Sequence, residues 1–147
     1  MNTPHRTELL ARPVRTDADV LARVAEIIDA RARQQPALWL FFLDRDGMQN
    51  EVVVPIDCLP DPPDPELVGG VCYVISQVLS GAQPDGSVVI ARSRPGAAEL
   101  AAMDRRWLCA LQQGAAIYKP PIRMLCLATP DGVRELGPVT AASFATV

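Results

Sequence analysis

Histidine is nearly absent from the chain: His5 is the one imidazole in 147 residues. That count excludes any site needing two imidazoles, the commonest ligands of catalytic zinc. Aromatic residues are scarce at 5%, so Val, Ile, Leu and Ala must build the core. No apolar run reaches the roughly 18 residues that span a bilayer. The longest clean run, Ala37 to Leu43, is strand-sized. Met1 to Arg15 mixes Arg, Glu, Thr and Pro and has no apolar signal-peptide core. These absences give the expectation of a cytoplasmic protein with no membrane partner. A net charge of −3 supplies no general electrostatic attraction to nucleic acid, so none is expected. There is no Walker loop, no G-x-G-x-x-G and no C-x-x-C. Cys58, Cys72, Cys109 and Cys126 are scattered in or beside apolar segments, and burial as small hydrophobes is the expected use.

What is present describes one globular domain. Hydrophobic residues make up 49% and charged residues 21%, a composition that forms a core. Residues 1–15 read as a flexible arm broken by Pro4 and Pro13, residues 16–137 as a single α/β domain, and residues 138–147 as a flexible tail. Thr16 and Asp19 have capping-box spacing, and Val20, Val24, Ile27 and Ile28 follow as one apolar stripe of a helix ending before Pro36. Ala37 to Leu43 reads as a strand buried on both faces, turned at Asp46-Gly47 into a returning strand, Glu51 to Ile56. Asp64 and Pro65 have the chemistry of an N-cap and a first helical residue, and Gly81 that of a C-cap. Ser87 to Ala91 is a third strand, Ala98 to Ile117 a third helix, Ile122 to Leu127 a fourth strand. Pro130-Asp131-Gly132 then turns the chain into a short fifth strand, Val133 to Leu136. Trp39 and Trp107 are expected in the core. The predicted architecture is a mixed sheet of about five strands packed with three helices, crossover helices joining parallel neighbours and Asp-Gly hairpins adding antiparallel pairs.

The stretch that can carry chemistry is Val88-Val-Ile-Ala-Arg-Ser-Arg-Pro-Gly96, followed by Asp104-Arg-Arg-Trp107. A strand end that passes through a short loop into a helix start is where α/β proteins place ligands. The layout resembles the JAB/MPN metalloprotease-like superfamily, particularly its RadC-like bacterial branch. Members of that superfamily carry a strand ending in His-x-His-Pro, a Gly-containing loop and an Asp in the next helix, with an upstream Glu as general base. The resemblance runs from about Leu38 to Leu136 in order of elements, and Pro95, Gly96 and Asp104 match residue by residue. Asp104 lies one residue closer than the usual spacing. Arg92-Ser93-Arg94 stands where the two zinc-binding histidines would be. Guanidinium is permanently cationic and has no lone pair to donate. Glu26, expected on a helix, and Glu51, expected on a hairpin strand, have no local motif that selects either as the base.

The resemblance therefore implies a metal-free, cofactor-free, non-catalytic domain that acts by binding a protein partner or a second copy of itself. The alternative is a small-anion or phosphate site, enzymatic or not, lined by Arg92, Ser93, Arg94, Gly96 and Asp104. Against that alternative, strand alternation puts Arg92 and Arg94 on one side, where Asp104, Glu99 or water can take both charges. Ser93 has no His partner and no nucleophile elbow. Asp104-Arg105-Arg106-Trp107 can be read as a surface recognition patch, and more simply as a buried Trp107 with its charges on a solvated helix face. Asp44-Arg45-Asp46 lacks the remaining ligands of a calcium loop.

Overall fold

The computed structural model describes residues 3–82 and 85–140. Its elements are α1 (Thr3–Ala11), α2 (Asp17–Ile27), a single 3-10 turn (Ala32–Gln34), β1 (Ala37–Leu43), β2 (Gln49–Ile56), α3 (Pro65–Ala82), β3 (Ser87–Ser93), α4 (Ala102–Tyr118), β4 (Ile122–Thr129) and β5 (Gly132–Gly137). The five strands form one mixed sheet in the order β2-β1-β3-β4-β5. β1 pairs antiparallel with both β2 and β3, β3 pairs parallel with β4, and β4 pairs antiparallel with β5. The chain is thus the mixed α/β fold expected, with one helix more; of the two crossover helices only α4 joins parallel neighbours, because β1 lies between the strands that α3 connects.

That additional helix is α1, in the segment read as an arm. Pro4 falls in its first turn, where a missing N–H costs nothing, and Pro13 comes after its end. Leu9 and Val14 are buried, and the Val14 N–H donates to Gly47 O at 2.7 Å, which ties the segment to the β1–β2 turn. His5 falls within α1. Of the expected C-terminal tail, residues 141–147 lie outside the described residues.

Local chemistry explains the element boundaries. Thr16 Oγ1 accepts from Asp19 N at 3.0 Å and Asp19 Oδ2 accepts from Thr16 N at 3.1 Å, completing the capping box. α2 stops at Ile27, well short of Pro36, because Arg33 takes over its end: Nε donates to Ile28 O and Nη2 to Ala25 O. Asp64 starts α3 by accepting from Glu66 N at 2.7 Å. The helix runs through Gly81 to Ala82, so Gly81 does not cap it. Asp44 spends its carboxylate on the turn, where Oδ1 accepts from Asp46 N and Met48 N. Gly47 has φ +82, as the turn requires.

Strand alternation splits the core into two layers. Leu38, Leu40 and Phe42 of β1 point with Val88 and Ile90 of β3 toward α3 and α4. Phe41, Leu43, Val89, Ala91 and Cys126 point the other way, onto Val20, Val24 and Ile28 of α2. Trp107 is fully buried in the first layer. Trp39 is only half-buried in the second, and its indole N–H donates to Ser93 Oγ at 2.9 Å. The cysteines divide: Cys72 and Cys126 are buried, whereas Cys58 and Cys109 are exposed, against expectation. Burial pushes the Cys126 thiol up to about 12. Among the described residues no helix is long and apolar enough to cross a membrane.

α3 and α4 approach through Gly114. A Cβ there would lie 2.5 Å from Val68 Cγ1, and the branched Val68 is buried and stiff. In a free helix Gly→Ala gains about 1 kcal/mol of propensity. Overpacking costs roughly 1–3 kcal/mol. The collision wins, so Gly114→Ala lowers stability by a net ~1 kcal/mol or more, read as a lower urea midpoint at unchanged slope.

Candidate functional site

β3 ends in Arg92-Ser93, with Arg94 the first residue of the loop, and the period of two sends Arg92 and Ser93 to opposite faces. Arg92 follows Val88 and Ile90 onto the α3/α4 side. Ser93 faces the α2 side, where its hydroxyl donates to Gln35 O at 2.7 Å and accepts from Trp39. Ser93 therefore leaves the candidate site that the sequence places it in. Its role is to fasten the segment before β1 to the end of β3.

Asp104 sits in the first turn of α4 and is completely buried, which corrects its reading as part of a solvated helix face. Its carboxylate takes four hydrogen bonds. Oδ1 accepts from Arg92 Nε at 3.0 Å and Arg94 Nε at 2.8 Å. Oδ2 accepts from Arg94 Nη2 at 2.6 Å and from Ala101 N at 2.8 Å. Two oxygens offer about four lone-pair sites, so the carboxylate is filled from within the chain. Burial alone would raise its pKa. Bonds from Arg94, the Ala101 N–H and Arg92 outweigh that effect and bring it down to about 2. The same contact with Asp104 raises the pKa of Arg94.

Arg94 also organises the loop. Its Nη1 donates to Pro95 O at 2.8 Å and its Nη2 to Glu99 O at 3.0 Å. Gly96, at φ +99, turns the chain beneath it, where a Cβ would come within 3.2 Å of Arg94 Nη1. Arg92 has 5% of its side chain exposed and lies with its guanidinium 5.7 Å from the centre of the Trp107 ring. Trp107 in turn donates from Nε1 to Asp61 Oδ1 at 3.1 Å. Trp107 and Asp61 belong to the cluster, though the sequence pattern gives Trp107 only as core and Asp61 only as part of a proline-rich connection. The one signal for Trp107 was its position three residues after Asp104, one helical step along the same face.

Arg92, Arg94 and Asp104 are thus brought together, Gly96 shapes their loop, and Ser93 stands apart. The two glutamates considered as bases are elsewhere. Glu26 is on α2, across the sheet, bonded to Arg12 at 2.8 Å. Arg92 lies in register with Leu38 and through it with Ile56, whereas Glu51 lies toward the Gln49 end of β2. Among the described residues no group of three or more His, Cys, Asp or Glu is placed to hold a metal. A surface hollow of about 490 Å³ beside Asp44 and Arg123 is at the other end of β3. No protein-family model, curated protein or solved structure matches the chain.

Removing Asp104 leaves two guanidiniums in a largely buried site without their counter-charge, a change of the kind that costs about 3–5 kcal/mol. Asp104→Asn should lower the denaturation midpoint accordingly. A carboxyl whose folded pKa is about 2 against an ordinary 3.8 stabilises the fold fully above pH 4. That contribution, roughly 2 kcal/mol, disappears as pH falls from about 4 through 2. Acid titration of stability should show this limb in the natural chain and a flatter one in Asp104→Asn.

Proposed function

We propose that the chain is a non-catalytic, metal-free domain of JAB/MPN type, related to the RadC-like branch, that works in the cytoplasm by binding protein. The observation that carries this reading is the filled Asp104 carboxylate between Arg92 and Arg94. Where the resemblance has two imidazoles and an aspartate around zinc, this chain has two guanidiniums bonded to the aspartate. Zinc does not fit these residues. Neither arginine has a lone pair to give, both repel a dication, and all four acceptor sites of Asp104 are in use. The cluster instead fixes the loop 94–101 against the sheet and leaves the outer surface for recognition.

A second reading has one observation in its favour. Arg92 Nη1 and Nη2 donate to no described residue although the side chain is nearly buried. Two guanidiniums against one carboxylate leave a positive charge over, which suits a small carboxylate or phosphate.

The geometry also tells how to test the relationship. Arg92 Nε and Arg94 Nε meet at the same oxygen, Asp104 Oδ1. An imidazole Nε2 reaches about as far from its Cα as an arginine Nε. The double substitution Arg92→His/Arg94→His should therefore create a zinc site: close to one zinc per chain by elemental analysis and a raised Tm with added zinc. The natural chain should show neither, and no Tm shift with phosphate or acetate. Stoichiometric zinc in the natural chain would overturn the metal-free reading. Stabilisation by phosphate that Arg92→Lys removes would replace it with the anion-binding one.

A further inference from the structure

Charge is segregated along this chain. From Gln49 to Ala82 there are five acidic residues, Glu51, Asp57, Asp61, Asp64 and Glu66, and no Lys or Arg. Four of the five lie in the β2–α3 loop and the first turn of α3. Across that loop, α4 exposes Arg105 and Arg106 beside a shallow hollow of about 360 Å³ that they share with Pro62, Pro63, Cys109 and Ala110. Among the described residues neither arginine makes an ion pair or side-chain hydrogen bond, and none of the four loop acids makes an ion pair. Asp61 and Asp64 have local partners in Trp107 Nε1 and Glu66 N. The far side of the same loop borders an apolar hollow of about 570 Å³ between Ile56 of the edge strand β2 and Leu67, Val71 and Val74 of α3, with Asp64 and Glu66 on its rim. One face of the molecule therefore holds a basic step, a proline-lined hollow, an acidic ledge and an apolar hollow side by side.

Basic residues on one side of a loop and acidic residues along it, none in an ion pair among the described residues, can be self-complementary under a two-fold axis. We propose that the occupant of this face is a second copy of the chain, in an isologous dimer that sets Arg105 and Arg106 of one protomer against the acidic loop of its partner and covers the hollows at Pro62–Pro63 and Ile56. The proposal deepens the protein-binding reading by naming the partner. The like charge of the β2–α3 loop also disfavours the arrangement that sets loop against loop.

The experiment is a charge exchange read by light scattering and sedimentation. The natural chain should be a dimer at low salt and should dissociate as sodium chloride is raised. Arg105→Glu/Arg106→Glu should weaken the dimer at least tenfold, and so should Asp57→Lys/Glu66→Lys, which spares the loop aspartates that bond within the chain. All of these positions are exposed, and an unchanged circular dichroism spectrum verifies that both variants fold, with any fall in Tm tracking the loss of the dimer. Mixing the two variants in equal amounts restores complementary charges at both halves of a two-fold interface, so the mixture should dimerise again. A monomeric natural chain at several hundred micromolar, variants that dimerise unchanged, or a mixture that stays monomeric would each overturn the dimer. A monomer free of zinc would do so while leaving the metal-free reading standing, whereas zinc bound to a dimer would do the reverse.

Discussion

The carboxylate of Asp104 is the constraint on which this end of the molecule depends. It joins three pieces that the chain delivers separately: the last turn of strand β3 through Arg92, the following loop through Arg94, and the start of helix α4 through the Ala101 N–H. A lone buried carboxylate would be neutralised by desolvation, and a lone buried guanidinium would be strongly unfavourable. Each makes the other tolerable, and the helix N-terminus adds its partial positive charge to the same point. The cluster is thus a joint between sheet and helix. Its cost is paid in specificity of geometry, since any shift of α4 along β3 would break the three arginine bonds together.

The rest of the α3/α4 layer follows from where that joint holds α4. Trp107 lies one turn on from Asp104, under the guanidinium of Arg92, and its indole N–H reaches Asp61 in the proline-rich loop. Fixing α4 therefore also fixes the loop that leads into α3. Farther along, the missing side chain at Gly114 lets α3 come close, with Val68 and Cys72 filling the space a Cβ would have occupied. On the opposite face the ties are of a different kind. Arg33 closes the end of α2 on backbone carbonyls, and buried Arg23 joins Gln49 Oε1 and Arg12 O, bonds that seat α1 and α2 on the sheet without an ion pair. Burial lowers the pKa of Arg23, as expected for a cation bonded to neutral partners.

The elements themselves were legible because their signals are local. Thr16 with Asp19, Asp64 with Pro65, the Asp46-Gly47 turn and the unbroken run from Ala37 to Leu43 each specify a boundary through neighbours within a few residues. α1 was illegible for the same reason: its prolines read as breakers, and its burial depends on Gly47, more than thirty residues away in the chain. Alternation also gave the common side of Arg92 and Arg94. It could not give the depth of Asp104, which looks solvated beside Arg105 and Arg106 and is buried only because α4 begins against the end of β3. Nor could it separate Trp39 from Trp107. Both sit in apolar segments, and only the packing of helices over β1 and β3 decides which indole is covered.

The same reasoning bears on what the arginines exclude. Two histidines in these places would need a metal or water to bring them together with an aspartate, because neutral imidazoles have little attraction for one another. Two arginines need only the aspartate, whose charge they share. Replacing imidazole by guanidinium at such a spot turns a site that must be completed from outside into one completed from inside the chain. The cluster then contributes rigidity, and the charges that make no ion pair among the described residues, Arg105, Arg106 and the acids of the β2–α3 loop, lie at the surface. Because the loop is stiffened by Pro60, Pro62, Pro63 and Pro65 and held by Asp61 to Trp107, those charges are presented at fixed positions. Preorganised charges lose little entropy on pairing.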